Sequence, residues 1–309
     1  MSSKTSLLCA GQGAQFVGMG RDLANAFPEC RGFFTKANEV LGYDLAKLCF
    51  EGPETELLQS RHCQPAIFVV SLVCHRALRL RVPSLAVEYT AGLSLGEWSA
   101  LCLAEAVSFE DGLRIMAARG SFMQESCEER AGAMLSVIGL DTDALSKIAV
   151  SAGVEIANVN SPEQTVLSGP KDGIQQAEKM AGAAGAKRAI MLNVAGAYHS
   201  SLMTGAARKL EQFLQAVVIR PPRIPVLSNV TGLPHGAPEE IKREMVRQVT
   251  SSVQWVASVQ WLQQQGVQRY VECGPGRVLS GLVKRIHSGA ALLNIQDCPS
   301  LDKSSAALL

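Results

Sequence analysis

Histidine is scarce in this chain, with five in 309 residues, so chemistry that needs an imidazole has few candidates. Nine cysteines are scattered singly, without a C-x-x-C pair or a metal-type spacing. This excludes a zinc ribbon or a disulfide framework and favours free thiols in a reducing compartment. A net charge of +1 removes any compositional argument for nucleic acid. Residues Met1 to Ala10 hold one lysine and too short an apolar stretch for a signal peptide. The longest apolar run, Ala66 to Cys74 with only Ser71 interrupting it, falls far short of a membrane span. There are no repeats and no low-complexity tract. With 47% hydrophobic and 18% charged residues the balance is that of a globular cytoplasmic protein of one to three domains.

What is present centres on Tyr89 to Trp98. Gly92-Leu93-Ser94-Leu95-Gly96 reads Gly-x-Ser-x-Gly, the pattern of a nucleophile elbow. The apolar run Leu85 to Tyr89 predicts a buried strand before it, and Glu97 to Ala106 predicts a helix after it. A tight turn between them holds the Ser94 hydroxyl at the strand's carboxyl end. Glycine at 92 and 96 removes side chains where strand and helix come closest. Free N–H groups at the start of the helix can face a developing negative charge.

Around this stretch strands and helices alternate, which implies a mostly parallel sheet covered on both faces. Ser6 to Ala10 predicts a strand, followed by the polar glycine loop Gly11 to Gln15. That loop lacks the Lys-Ser/Thr of a P-loop and the full G-x-G-x-x-G of a dinucleotide site. Asp22 to Val40 and Ala66 to Leu80 read as helices. Ser108 caps a helix running to about Glu125. On it Leu113, Met116, Gly120 and Met123 share one face, with Arg119 at its flank. Arg119 is therefore expected to be partly buried, and a buried guanidinium needs an anion. From about Ala131 to Val194 the order becomes β-α-β-β-α-β, a ferredoxin-like unit inserted in the main pattern. The expected division is a core of residues 1–128 and 197–309 with an insert at 129–196. A strand around Pro225 to Asn229 and another at Arg269 to Cys273 return to the core pattern. The tail after Pro299 is expected to be loosely held.

Serine is a weak nucleophile until a base takes its proton. His62, His75, His235 and His287 lie in settings that favour surface or packing roles. His199, in Val194 to Ser200 between the insert's last strand and the next helix, lies where a base facing the elbow should sit. A triad would also need an acid between Ser94 and His199 in chain order. Asp141, Asp143 and Glu155 are available and none stands out, which leaves a dyad open.

These residues, with Gly11-Gln12-Gly13-Ala14-Gln15, Arg119-Gly120, Asn158 to Pro162, Gly196-Ala197-Tyr198-His199-Ser200, Val246-Arg247-Gln248 and Gly274-Pro275-Gly276, run in order over the whole length. The chain resembles the malonyl-CoA:acyl carrier protein transacylases of bacterial type II fatty acid synthesis. The resemblance implies an α/β fold, an α/β-hydrolase-like core with a ferredoxin-like small subdomain. It implies that Ser94 carries the malonyl ester and that His199 is general base and then acid. The N–H groups of Gln12 and Leu95 would form an oxyanion hole, and Arg119 would pair with the malonyl carboxylate. The Gln248 carbonyl would orient His199. The family usually has His before the nucleophile, where this chain has Leu93, so contacts around the acyl group differ. No cofactor or metal is implied, since CoA and phosphopantetheine enter with the substrates. The partners are malonyl-CoA and acyl carrier protein, with no nucleic acid, no membrane and a monomeric chain. An acidic carrier would need local basic residues, for which Lys187-Arg188 and Lys284-Arg285 are the candidates. The rival readings are a serine esterase or thioesterase, a trans-acting polyketide acyltransferase, and a carrier-binding protein without catalysis.

Overall fold

The computed structural model describes residues 4–309. Strand β1 (Lys4–Cys9) leads to helices α1 (Arg21–Ala26), α2 (Pro28–Leu41), α3 (Leu45–Glu51) and α4 (Glu54–Leu57). Then come α5 (Ser60–Arg81), β2 (Tyr89–Gly92), α6 (Leu95–Leu103) and α7 (Phe109–Glu129). A second run holds β3 (Gly132–Ile138), α8 (Thr142–Ala152), β4 (Glu155–Ser161), β5 (Gln164–Pro170), α9 (Lys171–Ala183) and β6 (Arg188–Met191). A 3₁₀ turn at Ser201–Met203 opens the last run of α10 (Thr204–Leu214), α11 (Pro238–Gln248), α12 (Trp255–Gln264), β7 (Val267–Cys273), α13 (Val278–Ile286), β8 (Ala291–Ile295) and α14 (Cys298–Ala306).

The fold is α/β with a parallel sheet in the order β2-β1-β7-β8. Cys9 pairs with both Gly92 and Cys273, so three strands end at one level. The glycine loop, the elbow and the Gly274 turn therefore share one sheet edge, where ligands of parallel sheets bind. Helices α5 and α6 pack on the sheet, α7 packs along α5, and α5 is buried along most of its length. It is long and apolar enough to cross a membrane, but 78% of its apolar window is buried inside the fold, as a core helix. Strands β4-β5-β3-β6 form a separate antiparallel sheet. Leu135, Leu167, Ile148 and Ile174 pack it against α8 and α9. Val253 ties that sheet to the rest: its N–H donates to Ala157 O at 2.8 Å and its carbonyl accepts from Val159 N at 2.9 Å.

Several boundaries differ from the sequence reading. The helical stretch after Asp22 breaks at Phe27, which is extended (φ −128°) because Pro28 follows it. The elbow strand occupies Tyr89–Gly92 rather than Leu85 to Tyr89. Leu85 is buried, but the parallel ladder begins only where β1 runs alongside, at Ser6 against Tyr89. Burial marked the apolar run, and pairing marked the strand. The segment Pro225 to Asn229 makes only isolated bridges, Val226 against Thr90 and Leu227 against Pro234, and the Ser228 N–H turns to Leu233 O. The tail is not loose. Asp297 caps α14 through Ser300 N, Leu301 is fully buried, and Cys298 N donates to Asp22 Oδ2 at 2.6 Å.

The two elbow glycines have steric causes. A Cβ on Gly92 would overlap the Gly96 backbone, and a Cβ on Gly96 would overlap the Cys9 carbonyl. Gly96→Ala is expected to lower stability by about 1–3 kcal/mol, the scale of overpacking. Gly182→Ala, in α9 with open space around its Cβ, should be neutral or slightly stabilising, since it removes only backbone freedom of the unfolded chain. Denaturant midpoints of the two variants check the difference; equal midpoints would refute the steric account.

Candidate active site

Ser94 is the residue between β2 and α6, with φ 55° and ψ −108°. A non-glycine residue at positive φ is strained and needs outside support. Asn229 supplies it from both sides of the turn. Its Oδ1 accepts from Ser94 N at 2.6 Å, and its Nδ2 donates to Gly92 O at 2.8 Å. The sequence reading assigned Asn229 no role, because it acts across 135 residues from a segment chosen only as a strand. Ser94 is 8% exposed, at the floor of a cavity of about 450 Å³. Gln12, Met134, Val166, Leu192 and Leu282 are among its walls, so the loop after β1, the antiparallel sheet and α13 contribute. Leu93 lines the same space. A Cβ on Gly11 would press on the Leu93 carbonyl, so the glycine loop sits directly against the elbow.

His199, also at positive φ (57°) and 4% exposed, brings Nε2 to 2.9 Å from Ser94 Oγ. Its Nδ1 lies 2.8 Å from the main-chain oxygen of Gln248. A carbonyl oxygen only accepts, so Nδ1 carries the proton and Nε2 presents its lone pair to Ser94. Burial, then the Arg119 charge, push the imidazole pKa down to about 4, which keeps the ring neutral near pH 7. Of the triad candidates, Asp141 caps α8 through Ala144 N at 2.7 Å and Asp143 is exposed. Glu155 accepts from both the N–H and the hydroxyl of Ser201. None of the three reaches His199.

Arg119 is 1% exposed, more deeply buried than its helix position suggested. The expected anion is not what it touches. Its Nη1 donates to Gln64 Oε1 at 2.7 Å, and its Nη2 donates to Ser94 Oγ at 3.1 Å and Gln248 Oε1 at 2.9 Å. All three are neutral acceptors. Burial lowers the guanidinium pKa to about 10, against the opposing pull of Glu97, and it stays charged. A cation beside a nucleophile, without an ion-pair partner, can receive an anionic group.

Gln12 and Leu95 flank the serine. The Gln12 side chain donates to Ser60 Oγ and Tyr198 Oη, each at 3.3 Å, which holds the loop. Leu95 is the first residue of α6. Among the described residues neither backbone N–H donates to another protein group, so both remain free for an oxygen at the serine. Lys187, Arg188, Lys284 and Arg285 stand apart from this cluster on the exposed surface. Both pairs point at the β4–β5 turn: Lys187 Nζ is 3.6 Å from Glu163 Oε1, and Arg285 Nη1 donates to Gln164 Oε1 at 3.3 Å. Gln164 also lines the cavity.

His235 corrects the sequence reading. It was expected at the surface or in packing, yet its side chain is wholly buried between Glu97 and Glu244. No local signal could have found it, since Glu97 is 138 residues away. Among the described residues no cluster of His, Cys, Asp and Glu could hold a metal ion.

Comparisons with known proteins agree with this geometry. The model of the acyl transferase domain matches residues 7–300. A malonyl CoA-acyl carrier protein transacylase of Bacillus subtilis is 37% identical over 305 residues, covering 97% of this chain and 96% of that one. The polyketide biosynthesis protein ThaF of Burkholderia thailandensis is 42% identical over 287 residues, 92% of this chain but only 24% of ThaF's own length. A malonyl-transacylase solved in complex with its type II PKS acyl-carrier protein superposes with a TM-score of 0.95 at 38% identity, covering 99% of this chain and all of that one. The chain belongs to the acyl transferase family, together with the malonyl CoA-acyl carrier protein transacylases.

Proposed function

We propose that the chain moves a malonyl group from malonyl-CoA to the phosphopantetheine thiol of acyl carrier protein through a malonyl ester on Ser94. One observation carries this reading. The Ser94 hydroxyl touches both a neutral, oriented histidine and a buried arginine that has no carboxylate partner.

Ser94 Oγ attacks the thioester carbonyl carbon while His199 Nε2 takes the hydroxyl proton. The tetrahedral oxyanion is held by the N–H groups of Gln12 and Leu95, each worth about 3 kcal/mol by comparison with other such donors. The C–S bond breaks, the proton passes from His199 to the CoA thiolate, and malonyl-Ser94 remains. The carrier thiol then gives its proton to His199 and attacks the ester. The Ser94 oxygen leaves and recovers that proton. Arg119 binds the free carboxylate, which discriminates against neutral acyl groups that leave the guanidinium unmatched. These groups complete the reaction without a metal or organic cofactor. An esterase is less well supported, because His199 leans on a main-chain carbonyl rather than an acid. The likeness to ThaF favours a second acceptor, a polyketide carrier.

The finer architecture belongs to the same proposal. Residues 1–128 and 197–309 form an α/β-hydrolase-like core, and 129–196 a ferredoxin-like insert. The sheet order β4-β5-β3-β6, antiparallel with both helices on one face, supports the latter. A monomer working in the cytoplasm fits the nine free thiols. The carrier would enter between the β4–β5 turn and α13, where Gln164, Val278 and Leu282 rim the cavity beside the two basic pairs.

Ser94→Ala should fold and lose the acyl-enzyme. Intact mass after mixing with malonyl-CoA checks this, and a malonyl adduct on the variant would overturn the mechanism. Arg119→Ala should cut malonyl transfer steeply while acetyl transfer gains in relative terms; equal losses would make Arg119 structural. The pH profile gives an independent sign. The reaction needs neutral His199, so kcat/KM should stay flat down to about pH 5 and fall near its pKa of about 4. Arg119→Ala removes a neighbouring positive charge, so the imidazole pKa rises and the acid limb moves to higher pH. Charge reversal of Lys187 and Arg188, or of Lys284 and Arg285, to Glu should slow transfer to the carrier and flatten its salt dependence. Self-acylation should barely change, and unchanged carrier transfer in both double variants would end the docking proposal.

A further inference from the structure

Behind the serine lies a row of four charged side chains, of which the transfer reaction uses only Arg119 directly. Glu244, His235, Glu97 and Arg119 alternate in sign, with Gln248 interposed between the last two. His235 Nε2 lies 2.7 Å from Glu97 Oε1, and His235 Nδ1 lies 2.7 Å from Glu244 Oε2. A carboxylate only accepts, and a bare nitrogen lone pair at such a distance would be repelled. Nε2 is hydrogen-bonded to Glu97, while Nδ1 meets Glu244 as a close ion-pair contact whose N–H is not aligned for a hydrogen bond; a carboxylate at each ring nitrogen favours a proton on both, and so an imidazolium. Burial alone would lower its pKa, but the two carboxylates outweigh burial and raise it to about 9. Ser228 and Arg247 also face Glu244.

Glu97 is wholly buried. Its Oε2 accepts from Gln248 Nε2 at 2.6 Å and from Asn229 N at 3.1 Å. Gln248 then donates the same Nε2 to Ser94 O at 2.9 Å and turns Oε1 to Arg119 Nη2. The amide cannot flip, because that would aim its NH₂ at a guanidinium and its oxygen at a carboxylate. The Gln248 side chain is thus a dipolar spacer between a buried carboxylate and a buried guanidinium. Without a cation of its own, Glu97 would be the nearest anion for Arg119, in direct competition with an acyl carboxylate.

We infer that His235 is a positioning and specificity-determining residue: by neutralising Glu97 from behind, it keeps Arg119 available for the carboxylate of the acyl group. The inference rests on the reading of Arg119 as the acyl carboxylate receptor. His235 touches neither nucleophile nor base, and it acts through Glu97 and Gln248.

The test compares kcat/KM for malonyl-CoA and acetyl-CoA, with thermal melting as a check on folding, in wild type, Arg119→Ala, His235→Gln and the double variant His235→Gln/Glu97→Gln. His235→Gln should lower the malonyl:acetyl ratio by about 10-fold or more, the scale of one buried charge contact. The double variant should recover most of that ratio, because it removes the carboxylate that the missing imidazolium had held. A structural role would not be rescued by a second substitution. An unchanged ratio in His235→Gln, or a lost ratio that the double variant does not restore, overturns the inference. If Arg119→Ala keeps the wild-type ratio, the receptor reading falls and this inference falls with it. If Arg119→Ala loses the ratio while His235→Gln keeps it, this inference falls alone. A second measurement covers a variant that fails to fold: nitrogen NMR of the histidine-labelled wild type at pH 7.5 should show a doubly protonated histidine ring. Five neutral rings would overturn the inference.

Discussion

Gln248 has no exposed surface and meets four polar partners at once. Its main-chain oxygen holds His199 Nδ1, its Oε1 receives Arg119, and its Nε2 serves both Ser94 O and Glu97. It is the last residue of α11, so its carbonyl is one of those a helix end leaves without an internal partner. The histidine shares that acceptor with the Ser251 N–H, which reaches it at the longer distance of 3.4 Å. One residue at a helix terminus thereby ties together base, cation, nucleophile backbone and buried acid.

The charge pattern follows from this arrangement. An acid on His199 would orient the ring, but it would also put an anion near Arg119 and raise the imidazole pKa. A main-chain carbonyl orients the ring without adding charge. The ring stays neutral by burial, and Arg119 contacts only neutral acceptors. In the proposed transfer the first full negative charge to reach Arg119 is that of the substrate. The buried Glu97 sits one amide away from that guanidinium and has its own imidazolium behind it.

The elbow illustrates a different constraint. Ser94 at φ 55° is held there by close approach on one side and hydrogen bonds on the other. Glycine at 92 and 96 lets α6 press onto β2 and β1, and Asn229 grips the amide of Ser94 and the carbonyl of Gly92. The short bridge at Val226 that replaces the expected strand delivers Asn229 to this position. The irregular segment is thus tied directly to the nucleophile.

Much of the fold was legible because its signals are local. Period, caps and glycine spacing place β1 and α7 within a few residues of where they lie, and they give the β-α-β-β-α-β order between Ala131 and Val194. The Gly-x-Ser-x-Gly turn and the junction histidine required only that strand, turn and helix follow one another. Legibility failed where pairing or docking decides. Leu85 is apolar and buried yet unpaired, and α14 is held by Asp22 from the other end of the chain. The sequence by itself determined the parallel α/β pattern, the exposed turn at Ser94 and the choice of His199 from five imidazoles. Only the tertiary structure decided that Arg119 would meet no carboxylate, that Asn229 would brace the elbow and that His235 would lie between two carboxylates. Those outcomes depend on buried groups as far as 138 residues apart, whose hydrogen bonds are set by the neighbours that folding brings to them.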